Sequence, residues 1–146
     1  MKTLNQIIDE IIIESVKLKQ KILSENVVME LDYVIIFSQS NEECDFYCEG
    51  ASHIGENFRE TETGIEFQLK KEIQTKDGKF KLLRIEKPQA DKKQIGAIGY
   101  KLLNYEEFKS KYQEEKWFKT IMSSDEIELV EIADKNFNVL IYLTSK

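Results

Sequence analysis

Val28-Met29-Glu30-Leu31-Asp32-Tyr33-Val34-Ile35-Ile36-Phe37 is the stretch on which the fold turns. β-branched and aromatic residues crowd it, and that composition predicts a strand. Strand alternation puts Tyr33, Ile35 and Phe37 on one face and Val34 and Ile36 on the other. Directly after it, Ser38-Gln39-Ser40-Asn41-Glu42-Glu43 opens a helix, with Ser40 or Asn41 as N-cap and acids in the first turn. Phe46 and Tyr47 are expected to anchor that helix, which should end by Gly50 or Ser52.

Upstream, residues 3 to about 24 read as a helix capped by Thr3 or Asn5. Leu4, Ile7, Ile8, Ile11, Ile12, Leu18, Ile22 and Leu23 recur at spacings of three and four. Ile13 widens the stripe, which suits packing on a sheet or on a dimer partner. Downstream, residues 56–62 and 65–71 read as strands around Thr63-Gly64. Asp77-Gly78 marks a turn into a strand from Phe80 to Lys87, stopped by the only proline, Pro88. A polar linker, residues 88–94, comes next. The pattern then starts again: a strand from Ile95 to Leu103, a helix from Tyr105 to about Glu115 capped by Asn104, and strands Trp117–Met122, Glu126–Ala133 and Val139–Leu143. The expected fold is α+β. An amphipathic helical extension, 1–25, precedes one domain, 26–146, made of two β-α-β-β-β modules at about 28–87 and 95–144.

Composition bounds the function. The 146 residues include 21 basic and 27 acidic side chains, a net charge of −6, and 41% are hydrophobic. Such a chain buries a core and is not disordered. It has no run of about 18 apolar residues, so no membrane span is expected. Asp9, Glu10 and Glu14 break any signal-peptide layout, and the expected location is cytoplasmic. The acidic balance and scattered lysines argue against nucleic acid as a partner. Cys44 and Cys48 lie four apart on one helix face, a geometry that disfavours a local disulfide. With His53 they fall short of the four ligands that a zinc site needs, so they read as reduced thiols, and His53 reads as an exposed loop residue. Neither a G-x-S-x-G elbow nor a phosphate-cradling glycine loop occurs; Gly96-Ala97-Ile98-Gly99 reads as a closely packed strand.

Three segments resemble the vicinal-oxygen-chelate superfamily, which includes glyoxalase and bleomycin-resistance proteins. Leu31–Phe37 with the later Phe46-Tyr47 is similar to its opening strand and helix. Glu131–Ile141 is similar to its closing hairpin. Residues 60–69 with 80–88 look like the uncharacterised YecM-like branch, which also carries an N-terminal helix. The resemblance spans about residues 28–144 and implies paired modules forming a concave cup. In metal-dependent members, four strand positions supply His or Glu ligands. Here those slots fall on Tyr33, on Arg84 or Glu86, on Ala97 or Gly99, and on Ile141. One carboxylate at most survives, so no metal and no cofactor are expected.

What the cup retains is Tyr33, Arg84 and Glu86, with Gln68 or Glu66 from the neighbouring strand. A few polar groups in an apolar cup suit a small molecule, and Arg84 suits a carboxylate or phosphate. The bland alternative is an Arg84–Glu86 or Arg84–Glu66 ion pair that satisfies a half-buried sheet. The favoured reading is a small-molecule-binding protein, its ligand a small organic acid. A second is a divergent metal-dependent lyase or dioxygenase, with Tyr33 as acid or base and Glu86 as lone ligand. A third is an interaction module that docks a partner or forms a homodimer through the helix at 3–24. No catalytic residue is assigned.

Overall fold

The computed structural model describes residues 1–23 and 27–145. The expected helix end near 24, the 25/26 boundary and Lys146 lie outside the described residues. The chain is mixed α+β, with three helices and an eight-stranded sheet among those residues. In order come α1 (Leu4–Ile22), β1 (Met29–Phe37), α2 (Asn41–Ile54), β2 (Gly55–Glu60), β3 (Gly64–Thr75) and β4 (Gly78–Glu86). After these come β5 (Gly96–Leu102), α3 (Tyr105–Tyr112), β6 (Phe118–Ser123), β7 (Glu128–Ile132) and β8 (Val139–Thr144).

The sheet runs β2-β3-β4-β1-β5-β8-β7-β6. β1 pairs parallel with β4 and antiparallel with β5, and β5 pairs parallel with β8. The strand read first from the sequence is therefore a central one. A register shift between Leu31 and Tyr33 sends Leu31 to the helix side and leaves Tyr33 with Ile35 and Phe37 on the other.

All three helices cover one face of the sheet. Thr3 and Gln6 close a capping box on α1, and Ile7, Ile8, Ile11, Ile12 and Leu18 enter the same core as Val34, Ile36, Ile98, Val139 and Ile141. Helix α1 is thus part of this core, not an appendage to it. Ile13 is 54% exposed, because the buried face is already complete without it. Ser40 caps α2, whose Cys44, Tyr47 and Ala51 point inward at helical spacing. Phe46, expected as an anchor, sits one residue off that stripe and is exposed. The helix also passes the expected stop at Gly50 or Ser52 and runs to Ile54. Leu4 of α1 packs against the bare Gly50 backbone, so this glycine serves helix contact instead of termination. Helix α3 ends at Tyr112, shorter than the expected Glu115.

The other face carries no helix, yet Ile35, Phe37, Ala97 and Leu140 are buried there, with Tyr33, Leu129 and Ala133 packed around them. The segment between β4 and β5 covers part of that face, with Lys92 above the Phe37 ring. That face carries the candidate site. No described helix is long and apolar enough to cross a membrane.

Candidate functional site

Register fixes which side chains share that face. Along one row, Glu66 of β3 lies opposite Arg84 of β4, and Arg84 lies opposite Ile35 of β1. Along the next, Gln68, Leu82, Tyr33, Gly99, Tyr142 and Glu131 succeed one another across β3, β4, β1, β5, β8 and β7. Glu86 lies opposite Phe37.

The charges pair in a distinctive way. Glu66 accepts from two arginines: Arg84 Nη2 is 3.2 Å from its Oε1, and Arg59 Nη2 is 2.8 Å from its Oε2. The Arg84–Glu66 pair foreseen as the bland reading is therefore present, but it does not use up Arg84. The Nε of Arg84 is buried with no hydrogen-bond partner. Glu86 is 8% exposed, and its Oε2 is likewise buried and unpartnered. About nine buried polar groups in ten find a partner, so such atoms mark strain or a missing ligand.

Two phenols complete the floor. The ring of Tyr33 lies over Gly99, where a Cβ would overlap it. Burial, reinforced by Tyr142, raises the Tyr33 phenol far above its ordinary value, and burial followed by Glu131 does the same to Tyr142. Both are neutral at physiological pH and act as hydrogen-bond donors, not bases. Gly99→Ala should displace the Tyr33 ring without breaking the sheet. The expected result is an intact circular-dichroism spectrum with an altered tyrosine near-ultraviolet signal. A spectrum unchanged in both regions would mean that the ring does not depend on the glycine.

Of the predicted residues, Tyr33, Arg84 and Glu86 converge. Gln68 shares their face but is exposed at the rim. Ile141 does not belong to this face: it is fully buried on the helix side, and its neighbours Leu140 and Tyr142 lie on the helix-free side. Three residues escaped the sequence reading. Tyr142 and Glu131 lie on β8 and β7, and Lys92 reaches in from the segment between β4 and β5. Lys92 Nζ is 3.4 Å from Tyr142 Oη, 3.7 Å from Glu131 Oε2 and 5.6 Å above the Phe37 ring.

The donor set does not suit a metal. The strand positions offer one carboxylate, neutral phenols and a guanidinium, which repels a cation. Among the described residues no group of three or more His, Cys, Asp and Glu could hold a metal ion. Cys44 is buried, Cys48 has its thiol pushed up to about 12 by burial and by Cys44, and His53 is exposed in the last turn of α2. A cleft of about 1020 Å³ lies elsewhere, beyond the ends of β5 and β8, between Leu103–Glu107 and Ser124–Glu128. It is open and lined by carboxylates, and its buried unpartnered polar atom among the described residues is the Asn104 Oδ1, an acceptor.

The chain is similar in structure to a solved structural-genomics protein, EC4020, with a TM-score of 0.74 at 13% sequence identity. The match covers 97% of this chain and 85% of that one. At that identity the likeness speaks for the fold alone. No protein-family profile matches the chain, and no curated protein matches it.

Proposed function

We propose that this protein binds a small organic acid in the concave face of a glyoxalase-like sheet, without the metal centre usual for that scaffold. The strand order, in which β1 and β5 meet at the centre and each continues outward through a parallel neighbour, supports the scaffold. So do the paired β-α-β-β-β element order and the helix that precedes it, as in the YecM-like branch.

One observation carries the binding reading. Arg84 Nε and Glu86 Oε2 are buried side by side on β4 with no partner in the protein. An unmade hydrogen bond on a buried group costs about 1 to 3 kcal/mol, more when it is charged. A ligand that satisfies both atoms recovers that cost. The apolar floor of Ile35, Phe37, Ala97 and Leu140 supplies contact area, and the Tyr33 hydroxyl supplies a further donor. This mix of apolar walls and few polar groups is usual for small-ligand sites.

The test is a thermal-shift screen against carboxylic and phosphorylated acids, repeated with Arg84→Gln. The expected result is a shift of several degrees with a subset of acids, abolished in the variant. At a ligand concentration of about 100 Kd the stabilisation is about 2.7 kcal/mol, well within reach of the method. Divalent metals added alone should leave the melting temperature unchanged. A specific metal-induced shift would favour the enzyme reading instead.

A further inference from the structure

The pairing of charges on the concave face narrows the class of acid, on the premise that this face binds one at all. Glu66 is one carboxylate shared by two guanidiniums, Arg59 and Arg84. Its neighbourhood therefore carries a surplus positive charge, and the free Nε of Arg84 lies beside it. Glu131 takes Lys92. Among the described residues no ion pair reaches Glu86, although that side chain is 8% exposed. The face thus holds a positive surplus at Arg84 and an uncompensated negative charge at Glu86, two residues apart on the same side of β4. Two residues along a strand span about 7 Å between Cα atoms, and the two side chains can close on one small group.

The geometry points to a zwitterion, a free α-amino acid with an apolar side chain, as the ligand. Its carboxylate takes the Nε of Arg84, and its ammonium takes the Oε2 of Glu86. Its side chain lies against Ile35, Phe37 and Leu140. A simple acid satisfies Arg84 but leaves Glu86 facing an added negative charge. A dicarboxylate makes that repulsion worse. A hydroxy acid gives Glu86 a hydrogen bond without a compensating charge. Only the amino acid answers both atoms with opposite charges, and charge-assisted bonds are about twice as strong as neutral ones.

The experiment is isothermal titration of the full chain with four probes of one skeleton: leucine, 2-hydroxy-4-methylpentanoate, 4-methylpentanoate and 3-methylbutylamine. Valine, isoleucine, methionine and phenylalanine extend the amino-acid arm. The expected result is that at least one amino acid binds roughly tenfold or more tightly than its hydroxy acid, and that both exceed the simple acid and the amine. Glu86→Gln should remove that preference and leave the acids bound. If the acids bind in an Arg84-dependent way as tightly as the amino acids, the zwitterion inference falls and the binding reading stands. If no acid and no amino acid binds, both fall. Should E86Q fail to fold, the ranking on the unaltered protein decides the matter by itself.

Discussion

A chain lacking residues 1–23 is expected not to fold. Ile7, Ile8, Ile11, Ile12 and Leu18 of α1 are all buried in the main core. Each contributes about 2 kcal/mol on burial, so together they supply on the order of 10 kcal/mol. A domain of this size has a total stability of only about 5–15 kcal/mol. The helix also shields Ile98, Val139 and Ile141 on β5 and β8, which would otherwise face water. Gly96 shows how close the fit is: a Cβ there would overlap the Ile35 carbonyl and the Ile11 side chain at once. The measurement is far-ultraviolet circular dichroism and an amide NMR spectrum of the truncated chain. Lost dispersion with aggregation is the expected result. A well-dispersed spectrum, with only the oligomeric state changed, would make α1 a docking element, the third reading of the sequence. The broad isoleucine stripe allowed both outcomes; its use inside this chain's own core favours the first.

The elements were legible where one face is buried and the other wet. In α1 the 3.6-residue period stands clear of Lys17, Lys21 and the acids, and in β3 apolar Ile65, Phe67 and Leu69 alternate with Glu66 and Gln68. Central β1 was legible from its composition, and its alternation placed Tyr33 correctly because the register shift falls just before that residue. The period was silent in β8. Val139–Leu143 is apolar at every position and buried on both faces. Parity cannot be read there; the resemblance alone puts the fourth slot on Ile141, and nothing in the run singles out Tyr142. Lys92 was missed for another reason. It sits in a polar stretch that reads as a linker, and its contacts with Tyr142, Glu131 and Phe37 arise only when β7 and β8 return across the sheet. Arg84 and Glu86 were legible as a pair by their spacing. That their remaining polar atoms lack partners is a property of packing, and no spacing encodes it.

Asp77→Ala is expected to cost about 3 kcal/mol, more than turn chemistry alone would suggest. The sequence presents Asp77 as half of an Asp-Gly turn. Yet the turn is held by other atoms: Gly78 adopts φ 124, and Thr75 Oγ1 both accepts from the Asp77 amide and donates to the Gly78 carbonyl. The Asp77 carboxylate points elsewhere. It accepts from the Tyr100 hydroxyl and from Lys19 Nζ, and that ammonium also lies 4.6 Å above the Tyr100 ring. Tyr100 is 1% exposed, and burial followed by Asp77 drives its phenol far above the ordinary value. The carboxylate thus ties the β3–β4 hairpin to β5 and to the C-terminal half of α1. Its removal strands a buried hydroxyl and a half-buried ammonium, a far larger penalty than a surface ion pair forfeits. Asp77→Asn retains an acceptor for Tyr100 and should lose about half as much. Urea unfolding measures both, and hydrogen exchange in the last turns of α1 locates the loss. A cost below about 1 kcal/mol for D77A would show that solvent already screens the cluster, and that apolar burial alone holds α1 in place.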